Sequence, residues 1–248
     1  MNKKRFVTAL VIALCVIIFT VSAVLLVIHF FPVKNDIIVP PSADTSSESV
    51  ILPENPINFA EQQAINEEIC AWISVPGTNV NYPILQSNIT EENYYLNHDV
   101  NKKSSAKGAI YIQRNNTWNF SDPNTVVYGH NMKNGSMFGS LKKFRKADFF
   151  DANRYIYVYT PGHILTYEIY SAFVYDDRHI LNSFDFSSEE EYAEFLSATL
   201  SPKSMTRNVR EGIEVDTNDR IITLSTCVGV KSQRYLVVGV LINDQQTK

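Results

Sequence analysis

The sequence predicts a mainly β domain behind a short apolar anchor, and three observations predict it. Runs rich in β-branched and aromatic residues recur at 80–85, 108–112, 125–128, 154–160, 164–175, 220–224 and 235–242, separated by Pro, Gly and Asn turns. The 248 residues include 13 Tyr and 14 Phe, a generous aromatic share that suits pleated surfaces. Only three stretches within this region, near 58–74, 137–144 and 187–200, carry helical spacing.

The chain opens on Met1-Asn2-Lys3-Lys4-Arg5, a short basic start, and Phe6 to Val33 is then almost wholly apolar and uncharged. About 20 apolar residues cross a bilayer as a helix, and basic residues ahead of the helix hold the N-terminus in the cytoplasm. A cleavable signal peptide is the rival, because Val21-Ser22-Ala23 has small residues suited to cleavage. The apolar run continues past that point to Phe31, longer than a signal peptide needs. The expected organisation is a cytoplasmic stub at 1–5, one transmembrane helix at 6–33, a linker at 34–57 and an extracellular domain at 58–248. Pro40, Pro41, Pro53 and Pro56, with the small polar residues between Ser42 and Ser49, mark the linker. The protein is thus expected at the cell membrane, passing through it once.

Within the domain, Asn58 can cap a helix with Glu61 three residues on. Ile65, Ile69, Trp72 and Ile73 recur at helical spacing, which predicts a helix from Asn58 to about Ser74 with Cys70 as a small buried residue in it. Met137, Phe138, Leu141 and Phe144 give one face of a short helix packed on the core. Ser187 with Glu190, or Ser188 with Glu191, forms a capping box ahead of Tyr192, Phe195, Leu196 and Leu200. The net charge of −4 gives no support for a nucleic-acid partner. Three cysteines, Cys15, Cys70 and Cys227, set no disulfide framework, and no CxxC or His-rich cluster points to a metal. No cofactor is expected.

Chemistry concentrates at strand ends. Thr223-Leu224-Ser225-Thr226-Cys227 closes one predicted strand, and Arg234 opens the next after a short loop. A guanidinium facing a thiol favours the thiolate or stabilises an oxyanion. Upstream, an apolar strand runs into Tyr128-Gly129-His130-Asn131 and leaves His130 at its end, where imidazole supplies an acid or base near neutral pH. Cys227, His130 and Arg234 together make a candidate acyl-transfer site. His98 is the rival histidine, but its neighbour Asp99 points the other way on an extended chain. A different reading also stands: a membrane-tethered β-domain that only binds a surface partner, with Cys227 a small structural residue.

Thr223 to Cys227, Arg234 and the Tyr128 to Asn131 segment together resemble the sortases, membrane-anchored cysteine transpeptidases of Gram-positive bacteria. The resemblance runs over roughly residues 57 to 243. Trp72-Ile73-Ser74-Val75-Pro76-Gly77-Thr78 followed by Tyr82-Pro83-Ile84-Leu85-Gln86 resembles the start of a sortase domain. The helix in the connection before the Cys227 strand, with helical structure at the domain's N-terminus, is similar to class B. The resemblance implies a closed eight-stranded β-barrel with peripheral helices. It implies that Cys227 forms a thioester with a threonine of a C-terminal sorting signal, of Asn-Pro-x-Thr type. His130 would shuttle the proton and Arg234 would hold the oxyanion, while an amine of the peptidoglycan precursor accepts the acyl group. Ser225, Thr226, His179, Ile180 and Leu96 would line the peptide groove. Two departures stand out: the Cys227–Arg234 connection is short for the family, and no acidic residue follows Cys227 to orient His130. Asp176 and Asp177 are the candidates for that carboxylate. The same site could instead polymerise pilins onto a lysine acceptor or hydrolyse peptides.

Overall fold

Eight strands close on themselves in the computed structural model, which describes residues 52–89, 91–230 and 232–248. They are β1 (Ile69–Ser74), β2 (Asn81–Gln86), β3 (Ile110–Ile112), β4 (Asn124–Tyr128), β5 (Tyr155–Thr160), β6 (His163–Asp176), β8 (Ile221–Cys227) and β9 (Gln233–Gln246). A ninth, β7 (Arg207–Val209), pairs only with β6. The hydrogen-bonded order is β5-β1-β2-β3-β4-β8-β9-β6, and β6 pairs back onto β5 to complete the barrel. One edge of β6 is shared: residues 163–168 close the barrel on β5, and residues 171–173 carry β7. The expected eight-stranded barrel is therefore present. The anchor at 6–33, its stub, most of the linker and Cys15 lie outside the described residues. Among the described residues no helix is long and apolar enough to cross a membrane.

The strand patterns follow from what covers each face. In β5, Ile156, Val158 and Thr160 are buried and alternate with more exposed tyrosines, as a strand with one solvated face requires. In β8 every residue from Ile221 to Thr226 is buried. Ile222 and Leu224 join the barrel interior with Val127, Phe138 and Tyr235. Ile221 joins an outer layer, where Tyr170, Phe173, Leu236 and Val238 meet the helix Glu189–Leu200 through Tyr192, Phe195 and Leu196. Both faces of β8 are covered, so it is buried along its length, its polar Thr223 and Thr226 hydroxyls bonding to Asn124 Oδ1 and the Gly129 carbonyl, and it pairs in parallel with β4.

Helices sit on this frame: α1 (Phe59–Ile65), α2 (Ala147–Ala152), α3 (Ile180–Ser183) and α4 (Glu189–Leu200), with 3-10 turns at Tyr94–Leu96 and Leu141–Arg145. Asn58 caps α1 through Glu61 N–H, as the sequence predicts. The predicted helix over 58–74 is half wrong. It stops at Ile65, and Ile69–Ser74 is strand β1, paired with β2 and β5. Asn66 ends the helix, its side chain accepting from Glu68 N–H at 3.0 Å. A β-bulge follows Ile69, which packs with Leu85 and Tyr95, while Cys70, Ala71 and Ile73 join the barrel core, and so short an apolar run fits both periods. The single short helix expected around 137–144 is instead Met137 at φ +51°, the 3-10 turn and then α2. Its apolar residues are core, as expected. Ser188 caps α4 through Glu191 N–H at 3.4 Å, but the Glu191 carboxylate reaches Asp185 N–H at 2.6 Å rather than closing the box on Ser188.

At the barrel end that holds the β5–β6 turn, the segment entering the domain meets the chain's last residues. Asn55 Nδ2 donates to the Thr160 carbonyl at 2.9 Å, Lys248 N to the Pro53 carbonyl at 3.0 Å, and Lys248 Nζ pairs with Glu54 at 2.7 Å. His163 and Arg220 both hold Asp244 there, at 2.7 and 2.8 Å.

Candidate active site

Strand register brings the three candidate residues together. β4 and β8 are parallel, with Tyr128 opposite Ser225, so His130 and Cys227 each lie two residues beyond the last matched pair. β8 and β9 are antiparallel with Cys227 directly opposite Arg234. Three hydrogen bonds stitch these strand ends: Gly129 N–H to the Ser225 carbonyl at 3.2 Å, Thr226 Oγ1 to the Gly129 carbonyl at 2.6 Å, and Asn131 Nδ2 to the Cys227 carbonyl at 2.7 Å. At Gly129 a side-chain carbon would overlap Ile110 and the Phe138 ring, so glycine lets these core side chains pack against the backbone just ahead of His130.

Cys227 is exposed, while His130 and Arg234 are half-buried. All three line a cavity of about 280 Å³. The five residues expected to contact peptide, Leu96, Ser225, Thr226, His179 and Ile180, line the same cavity. His179 stands at the N-cap position of α3 without a side-chain capping bond, and its ring sits tilted 6.5 Å from Tyr128.

His130 Nε2 lies 2.8 Å from the Leu96 carbonyl oxygen. A backbone carbonyl, rather than either candidate carboxylate, Asp176 or Asp177, meets this nitrogen. Asp176 is instead bound through both oxygens to Arg178, at 2.7 to 3.0 Å, and those hydrogen bonds hold its carboxyl below the usual carboxylate range. Asp177 lines the cavity wall. His98 does not contribute to the cavity lining: its ring stacks on Tyr94 at 3.9 Å and its Nδ1 meets the Tyr94 carbonyl at 2.8 Å.

A polar floor lies beneath the reactive rim. Tyr111 Oη and Gln113 Nε2 both donate to Asn93 Oδ1, at 2.9 and 3.0 Å. Gln113 Oε1, Tyr128 Oη and both His179 ring nitrogens are buried with no hydrogen-bond partner among the described residues. Burial pushes the Tyr111 phenol up, the Cys227 charge adds to that, and Arg234 works against it. Burial likewise pushes Tyr128 up, again opposed by Arg234. Both phenols stay neutral donors. The sequence carries no local signal for this floor, since Asn93, Tyr111 and Gln113 meet only through tertiary placement. Cys70, by contrast, is a core thiol in β1. It donates to the Ile84 carbonyl at 3.4 Å, and burial pushes it up to about 12. Cys70 and Cys227 are both free.

A closed eight-stranded barrel with an exposed thiol, an imidazole and a guanidinium at adjacent strand ends is an arrangement suited to cysteine acyl transfer. The Sortase domain model matches residues 73–242, and the chain belongs to the sortase family. It is 35% identical to sortase B of Listeria monocytogenes over 186 residues, covering 73% of this chain and 72% of that protein. Clostridium perfringens sortase B superposes with a TM-score of 0.67 at 36% identity, covering 75% of this chain and 100% of that one. A Staphylococcus aureus sortase B–substrate complex superposes with a TM-score of 0.66 at 28% identity, covering 77% and 87%. These relatives group the chain with class B, and membership makes it a cysteine transpeptidase in general terms.

Proposed function

We propose that the chain joins surface proteins to the cell wall by cleaving a C-terminal sorting signal of Asn-Pro-x-Thr type after its threonine. The observation that carries this reading is the register: Cys227 faces Arg234 across β8–β9 and His130 stands level with Cys227 just beyond the end of β4, all on one cavity. The Cys227 thiolate attacks the threonine carbonyl carbon, and Arg234 stabilises the oxyanion that forms. The C–N bond then breaks, His130 gives its proton to the leaving amine, and a thioester remains on Cys227. An amine of the peptidoglycan precursor attacks that thioester, His130 takes its proton, and the thiolate leaves as an amide forms. Leu96, Ser225, Thr226, His179 and Ile180 hold the peptide along the cavity. The apolar segment 6–33 holds the enzyme in the cell membrane, with the barrel outside the cell.

Full-length protein, wild type and Cys227→Ala, is incubated with a panel of sorting peptides and amines, and products are followed by mass spectrometry. A thioester at Cys227 that resolves to an amide is expected from wild type alone. Turnover that survives in Cys227→Ala overturns the reading. A thioester that resolves only to acid in the presence of amines makes the protein a peptide hydrolase. Resolution only on a pilin lysine makes it a pilin polymerase.

A further inference from the structure

The group that meets His130 is a backbone carbonyl, and separate features hold it in place. Leu96 ends the 3-10 turn Tyr94–Leu96, its own N–H donating to the Asn93 carbonyl at 2.9 Å. Next to it, Tyr95 is fully buried, and its hydroxyl donates to the Glu68 carboxylate and accepts from Asn66 Nδ2 at 2.8 Å. Glu68 is only 7% exposed, so its charge is held in place by Lys102 Nζ and Asn88 N–H, both at 3.2 Å. The Tyr95 carbonyl accepts from Ala109 N–H at 2.9 Å. Behind the Leu96 carbonyl stands Gly108 at φ +56°, where a side-chain carbon would overlap both the Leu96 and Tyr95 carbonyls. The turn is thus anchored on one side by a buried polar cluster and backed on the other by a position that only glycine fills.

A carbonyl oxygen can only accept, so the nitrogen facing it must carry the proton. We propose that Gly108 and the Glu68–Tyr95 pair are positioning residues: they fix the Leu96 carbonyl, which locks His130 as the Nε2-protonated tautomer and leaves Nδ1 to exchange protons. The carbonyl dipole also stabilises the imidazolium that forms when Nδ1 takes a proton, which is the service a carboxylate would otherwise perform. The catalytic part of this inference rests on the acyl-transfer reading above; the tautomer part stands without it.

The test uses full-length protein labelled with 15N-histidine, with the His130→Asn variant identifying the ring signals. Wild type is expected to show His130 protonated at Nε2. In Gly108→Ala both tautomers are expected, with kcat down ~100-fold and KM little changed, the scale of loss for a misplaced catalytic group. Tyr95→Phe keeps the ring packing and removes only the hydroxyl, and the same changes are expected there in smaller degree. If Gly108→Ala fails to fold, Tyr95→Phe decides. Wild-type His130 protonated at Nδ1 overturns the proposal, and so does a loss of kcat with the tautomer unchanged. Absence of turnover in wild type, with the tautomer as expected, overturns the proposed function and keeps the positioning.

Discussion

At the scale of single residues, the two described thiols contrast most. Cys70 is enclosed in the core and pushed up to about 12, whereas Cys227 is exposed beside a cation-bearing strand. Iodoacetamide at neutral pH should alkylate Cys227 and spare Cys70 in folded protein, read by peptide mass spectrometry; equal labelling would contradict the burial. Cys70 also sets a sign for alkaline stability. Its folded value lies above the unfolded value of about 8.5, so its contribution is complete below that pH and is lost as pH rises toward about 12. Cys70→Ala should therefore lose less stability than wild type between pH 8 and 11, measured by thermal melts. Arg234→Ala should lower kcat/KM by roughly 100-fold or more, the scale of a positioned oxyanion donor, and Arg234→Lys should recover only part of it. That Cys227, His130 and Arg234 lie together was legible because each sits where a β-branched run meets turn residues, while preferring His130 to His98 rested on the family resemblance. Gln113 was not legible, because nothing within a few residues of it marks a site, and Asn93 was passed over although Leu96, three residues on, was expected at the groove.

At the scale of elements, legibility depended on how far a pattern ran. The 12-residue α4 carries three turns of spacing plus a cap, and it formed where expected. β1 is six residues, too short for period 2 to overrule the helical spacing that Ile65 lends it from α1. β7 is three residues of no apolar pattern, and only its docking on β6 makes it a strand. The α4 face should bear most of the energy of the outer layer. Phe195→Ala, at a site with no exposure, should cost about 3–5 kcal/mol by cavity formation. Ser188→Ala should cost about 1 kcal/mol by loss of the cap. Denaturant melts separate the two, and a reversal of their order would place the layer's stability elsewhere.

At the scale of the whole molecule, closure depends on pairing between strands far apart in sequence. β9 spans β6 over its full length, from Gln246 opposite His163 to Gln233 opposite Asp176. Asp244 pins the end away from Cys227. Burial pushes its carboxyl up, but the hydrogen bonds from Arg220 and His163 outweigh that and hold it below the usual range. A depressed carboxyl adds stability above its unfolded value of about 3.9, and the gain is lost as pH falls through the lower folded value. Asp244→Asn should melt below wild type at pH 6 and converge with it near pH ~2. A gap that persists in acid would assign the loss to packing rather than charge.

The clasp among Pro53, Glu54, Asn55 and Lys248 has a consequence for reach. It lies at the His163 end of β6, while Cys227 and Arg234 lie at the Asp176 end. Those ends are 13 residues apart in β6, or about 40 Å at ~3.3 Å per residue. The first and last described residues thus gather at the base of the barrel, with its mouth at the far end. A label fused after Lys248 would therefore start a strand-length away from Cys227 and leave every group in the mouth untouched.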